Sequence, residues 1–417
     1  MKRLLELNVN LRVDRKTPLL IAAIILAPKH QQPHFLSMSI DPTRLHQDAF
    51  VADLHCDTLN PINRGYELGE RHGNYHVDIP RLQEGGVNLQ VFASFASPFT
   101  ESTPREYIER SLTRLGEAFE KNPDSIALCR SVEEIEIASE NNRIAAMLAI
   151  EGGMPLESDP AMVGHFHRRG VRIITIVHDQ STEWCISQAD RQPAFEGLTE
   201  LGRQMIAAMN IHGVIADLSH SADSTVEAVL DATTAPVIAS HSCARALVNH
   251  TRNLTDDQAR RIAATGGMIG VTYVPQFLHA EYSRVEVEFF RKRPDLQREL
   301  MSLFVSEGSE DELQENWKRY AGDLQPLQEQ LRGLRPSATD VVEHIDHFVK
   351  LVGADHVGLG SDFDGITTAP LELEDCSKVS NITVGLAGRG YSETDIRKIL
   401  GGSFLRVLSE VEGAAGA

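Results

Sequence analysis

Positive charge is in short supply. The 417 residues include 40 lysines and arginines against 59 acidic residues, a formal charge of −19. Neither nucleic acid nor an anionic membrane attracts such a chain, which argues against both as partners. Cysteine pairing is also missing. The five cysteines (Cys56, Cys129, Cys185, Cys243 and Cys376) are scattered and contain no CxxC, so buried thiols are expected rather than disulfides or a cysteine zinc site. The apolar run "PLLIAAIILAP" is too short to span a bilayer but long enough for a signal-peptide core, and Lys2, Arg3, Arg12, Arg15 and Lys16 precede it. Glu6, Asp14, the lack of a small-x-small cleavage site and Pro28 all count against a signal. Residues 1–38 are therefore read as an extension, which a start at Met38 would remove, on a cytoplasmic chain; a working signal would instead make it secreted or periplasmic. The end "EVEGAAGA" lacks a hydrophobic tail, so no membrane anchor is expected.

From residue 50 onward, short runs rich in Val, Ile and Ala recur: "FVADLHCD", "VNLQVFAS", "AAMLAIEGG", "VRIITIVH", "GVIADLSH", "PVIASHS", "GMIGVTYVP" and "HVGLGSDFDG". Continuous rather than alternating apolar character suits strands buried on both faces of a parallel sheet. Amphipathic stretches separate most of them, such as "TDVVEHIDHFVKLVG", where Val341, Ile345, Val349 and Val352 share one helical face. Thr255 with Gln258 forms a capping-box pattern, Gly266-Gly267 closes that helix, and Ser392 with Asp395 opens the last helical region. Eight strands alternating with helices predict a (β/α)8 barrel over residues 39–417, with a helical insertion at about 279–336. A doubly wound open sheet is the structural alternative.

Metal-competent residues gather where these strands end. The first finishes in His55 and Asp57, the third in Glu151 and the fourth in His178. The fifth finishes in His220, the sixth in His241 and the eighth in Asp362 and Asp364. Barrel active sites form at this C-terminal face. His-x-Asp by itself means little, since it recurs at His46/Asp48, His76/Asp78 and His344/Asp346. Those three lie in a polar lead-in, a turn-like segment and the surface of an amphipathic helix, and are read as unrelated to metal. His55 and Asp57, two apart on a strand, face the same side, with Cys56 outward.

Histidines and carboxylates in this number offer N and O ligands for Zn²⁺, with Mn²⁺ or Co²⁺ as substitutes. They exceed what one tetrahedral ion needs, so two ions bridged by a carboxylate are expected. Glu151 is the best bridge, because "EGG" lets the backbone turn and leaves its carboxylate open. Two ions about 3.5–4 Å apart suit metal-assisted hydrolysis, with an amide as the expected substrate.

The segments "LHCDT", "AIEGG", "ITIVHD", "ADLSHSA", "SHSCARAL", "HTRNLTDD" and "GLGSDFDGI" follow in order, and "GGSFLRVLSEV" ends the series. Together they resemble the renal (membrane) dipeptidase family, peptidase family M19. The resemblance implies that His55, Asp57 and Glu151 hold one zinc and that Glu151, His220 and His241 hold the second. It implies His178 as an electrophile at the scissile carbonyl, Asp362 as the acid/base and Arg252 as the clamp on the substrate's C-terminal carboxylate. The implied substrate is a small dipeptide, including those ending in a D-residue, and a homodimer is consistent with relatives.

Two departures stand out. Relatives often carry a tyrosine past the seventh strand, where this chain offers both Tyr273 and Phe277. The charged insertion suits a lid, an oligomer contact or a solvated helical excursion. Competing readings are another binuclear amidohydrolase-type barrel acting on a non-peptide amide, and a non-catalytic barrel that only binds. The first often bridges its metals with a modified lysine ending strand four, where this chain has His178. The second should have lost at least one ligand.

Overall fold

The computed structural model describes residues 40–96, 102–304 and 308–416. The expectations for the N-terminal extension and its targeting lie outside the described residues.

All eight anticipated strands form, as Ala52–Cys56 (β1), Leu89–Phe95 (β2), Ile144–Glu151 (β4), Val171–Thr175 (β5), Ile215–Asp217 (β6), Ile238–Ala239 (β7), Met268–Val271 (β8) and Val357–Leu359 (β9). The short extra strand Ile126–Leu128 (β3) was not anticipated; it pairs with the start of β4, beside the stretch that later meets β5. Every pairing between these strands is parallel. The order runs β2-β1-β9-β8-β7-β6-β5-β4, and pairing of β2 with β4 from Leu89–Ala145 to Phe95–Glu151 closes the ring. This closure excludes the open sheet and gives an α/β barrel of the TIM type.

Alternation along the strands divides the apolar residues into two layers. Ala145, Met147 and Ala149 of β4 belong to an interior cluster with Leu54, Val91, Ile173, Ile215, Ile238 and Met268, which Phe404, Val407 and Leu408 of the final helix join. Ala146, Leu148 and Ile150 point the other way, into the larger layer between strands and helices. That layer takes the predicted face of the helix Ala338–Val352, with Val341 and Ile345 fully buried and Val349 and Val352 packed against them. The Thr255–Gln258 capping box is present with both reciprocal hydrogen bonds, and Ser392 accepts from the Asp395 amide.

One expectation about the look-alike motifs fails. His344 does not lie on the helix surface; it is buried, accepting from the Ala244 amide at Nδ1 (3.0 Å) and reaching the Leu278 carbonyl from Nε2 (3.3 Å). A polar residue at that helical position therefore faces the β7 loop rather than solvent. His46 too is buried, bonded to Thr383 and the Gly85 carbonyl.

Between β8 and the helix Ala338–Val352, the chain forms the helices Ala280–Arg291, Pro294–Phe304 and Glu310–Leu331. They share small apolar clusters of their own, Val285, Phe289 and Leu327 in one and Leu300, Leu303 and Leu313 in another. Being a strand-to-helix connection, this segment lies on the face where barrel sites form. Glu310 ties it to the segment after β1 through Tyr75 and Arg64.

Candidate metal centre

The register of β1 positions the first pair. Ala52 and Asp53 pair with Leu89 and Gln90, but Cys56 pairs with Phe92, so three steps of β1 match two of β2. This extra residue is a bulge, a device that re-aims side chains beside active sites. It explains why Leu54 belongs to the barrel interior while Cys56, two residues on, packs in the outer layer. His55 and Asp57 are thereby turned onto the barrel mouth, His55 Nε2 standing 3.6 Å from Asp57 Oδ2.

Glu151 continues the inward parity of β4, and Gly152 follows it at φ +97°, where a side chain would be strained. One of its oxygens is the hub of the site. Glu151 Oε1 faces Nε2 of His220 at 3.0 Å, His241 at 3.4 Å, His55 at 3.5 Å and His178 at 3.9 Å. Burial opposes the ionisation of Glu151, but the surrounding imidazoles, His55 first, hold it well below the usual carboxylate range. Asp57 is instead pushed up by burial and by Glu151, and Asp362 well up by burial and by Asp57. His178, packed against Phe95, is lowered to about 4 by burial and by His220.

His220 and Asp362 both adopt left-handed backbone, each at φ +66°. For residues with a side chain this conformation is uncommon and collects at functional sites. Gly365 closes the turn after Asp362, and a Cβ there would collide with Asp57 Oδ2 and Asp362 Oδ1. Asp364, the other acidic residue of "SDFDG", is a tether. It accepts from Thr58 Oγ1 (2.7 Å) and the His76 amide (2.6 Å), while its own amide donates to His76 Nδ1 (2.9 Å).

Sequence reasoning missed the residues that orient His241. Asp217 accepts from Thr175 Oγ1 (2.5 Å), Ser240 Oγ (2.6 Å) and the amides of Ser219 and Ser240. The single Ser240 proton is thus given to Asp217, so Ser240 Oγ accepts from His241 Nδ1 at 2.8 Å. That fixes the tautomer, leaving a bare lone pair on His241 Nε2. The available signal was the inward parity shared by Ile215 and Asp217, three residues before His220.

This donor set fits metal ions. His55 Nε2 is buried without a hydrogen-bond partner, and the Nε2 atoms of His220 and His241 approach to 3.0 Å. Lone pairs converging in that way are explained by cations among them. Three overlapping groups bring ligand atoms within 4.8 Å of one another: His55, Glu151 and His241; Glu151, His178 and His220; and His55, Asp57 and Asp362. They divide the residues differently from the sequence expectation, placing His241 with His55 and bringing His178 within reach of Glu151 and His220. Arg252 is buried beside them over the Phe277 ring (5.2 Å), with Nη2 on the His241 carbonyl and Nη1 unpartnered.

A closed parallel barrel that gathers four imidazoles around one carboxylate oxygen, with two further carboxylates beside His55, defines a metal-dependent hydrolase. The comparisons narrow the class. The family model described as membrane dipeptidase (peptidase family M19) matches residues 41–417, and the chain belongs to that family. It is 28% identical over 349 residues to the dipeptidase tcpJ of Claviceps purpurea, spanning 82% of this chain and 70% of that one. Among solved structures, the probable dipeptidase PvdM of Pseudomonas aeruginosa aligns with a TM-score of 0.76 at 26% identity, over 90% of this chain and 98% of its own. The metallopeptidase dipeptidase AC aligns at 0.69 and 25%, over 88% and 99%. The protein is a metallo-dipeptidase, a hydrolase of small peptides. No helix among the described residues is long and apolar enough to cross a membrane.

Proposed function

We propose that this dipeptidase uses two zinc ions and cleaves free dipeptides, those ending in a D-residue included. The observation that carries the reading is the convergence of four Nε2 atoms on Glu151 Oε1, with Asp57 beside His55. His55, Asp57 and Glu151 would hold one ion, and Glu151, His220 and His241 the other. When bound, such a pair would lower the pKa of a water enough for it to give up a proton near neutral pH, and would polarise the scissile carbonyl.

The remaining steps belong to the protein. Arg252 offers its unpartnered Nη1 to the substrate's terminal carboxylate, held in place by Phe277 and the His241 carbonyl. His178, kept neutral by burial, donates to the oxygen that gains charge as the carbonyl carbon becomes tetrahedral. Asp362 takes the proton of the attacking water and returns it to the leaving amine. Arg252 and His178 engage the carboxylate and the carbonyl, not the C-terminal side chain, which supports tolerance of either configuration there. A panel of L,L and L,D dipeptides, free and C-terminally amidated, tests the assignment. Free dipeptides, L,D members included, should be hydrolysed much faster than their amides; equal hydrolysis of amides, or none of any dipeptide, would overturn it.

A further inference from the structure

Two buried imidazole nitrogens in the site, His178 Nδ1 and His220 Nδ1, make no hydrogen bond. Both face one oxygen. Asp179 Oδ1 lies 3.5 Å from His220 Nδ1 and 3.9 Å from His178 Nδ1. The two rings lean together with centroids 4.1 Å apart, so that a single carboxylate faces both.

We infer that Asp179 is a positioning residue for the metal centre, drawing the Nδ1–H of the nearer imidazole, His220, and so turning its Nε2 lone pair onto the second ion. A ligating histidine commonly donates its other nitrogen to a carboxylate or carbonyl, which sets the tautomer and raises the basicity of the ligand. For His241 that partner is Ser240, backed by Asp217. His220 has no such bond, and Asp179 is the acidic group its Nδ1 faces. One carboxylate oxygen cannot serve both rings equally. Its commitment to His220 leaves the Nε2–H tautomer to His178, the form that donates to a substrate oxygen.

The inference rests on the two-ion reading. Its test is equilibrium binding of Zn²⁺ to the metal-free protein against a competing chelator, with the visible spectrum of the Co²⁺ form as a second readout. Asp179→Asn, close to isosteric, should weaken one of two ions about 10-fold, and Asp179→Ala 10- to 100-fold. The other ion, and the unfolding midpoint of the metal-free form, should be unchanged. Asp179→Glu should restore part of the affinity, and the Co²⁺ spectrum should change for one site alone. Parental affinity for both ions in Asp179→Asn and Asp179→Ala would overturn the role of Asp179 while leaving the two-ion reading intact. A parent chain that binds fewer than two ions would overturn both.

Discussion

At the scale of single residues, the proposed assignment separates groups that hold from groups that react. Asp362, Asp57 and His55 have ligand atoms within 4.8 Å of one another, yet Glu151, not Asp362, is the hub of the imidazoles. Asp362→Asn should therefore lower dipeptide turnover by about 10²- to 10⁴-fold, the usual worth of a general acid/base. Metal content should persist; loss of metal with activity would make Asp362 a ligand instead. Arg252→Met removes the buried guanidinium with the free Nη1. Losing a hydrogen bond to a charged group is worth about 1.5–3 kcal/mol, so KM for free dipeptides should rise about 10- to 100-fold. A similar rise for amidated dipeptides would remove the carboxylate clamp. The candidate ligands were legible in the sequence because each lies at the end of a buried strand or within about three residues past it. Asp217, Ser240 and Asp179 were not, since a serine or aspartate beside a histidine is common and only the fold shows what it touches.

At the scale of elements, turns and registers decide which way these side chains point. Gly365→Ala would press a methyl group against the carboxylates of Asp57 and Asp362, and should lower metal affinity while the barrel's circular dichroism is retained. Unchanged affinity would show that the "SDFDG" turn does not shape the site. His344 makes a different case. Burial lowers it to about 4 from the ordinary 6.5, although its hydrogen bond to the Leu278 carbonyl favours charge. The folded state thus binds fewer protons than the unfolded state between those values. Its contribution is complete above pH 6.5, declines as the pH falls through that window, and is gone below about 4. Denaturant unfolding of the parent and of His344→Gln should differ by about 1–3 kcal/mol more at pH 7.5 than at pH 4. A pH-independent difference would contradict the buried neutral state. The eight barrel strands were readable from their apolar runs. The three-residue β3 and the bulge in β1 were not, because pairing register leaves no mark on composition.

At the scale of the molecule, the centre exists only in the closed barrel. His55, Glu151, His220, His241 and Asp362 come from elements spread over some three quarters of the chain, brought together when β2 meets β4 and β9 meets β1. Ions that bind this state and not the unfolded chain stabilise it, by about 2.7 kcal/mol for each site at a hundredfold excess over its Kd. The sequence showed the closed barrel through its eightfold rhythm, whereas the helices between β8 and Ala338 gave only helical pattern, since their apolar clusters are small and their outer faces charged. The most direct test of the account is to strip the protein of metal, titrate zinc back, and follow bound ions and dipeptide hydrolysis together. The predicted result is two ions per chain, with hydrolysis appearing as the second binds; full activity without metal, or with a single ion at saturation, would contradict it.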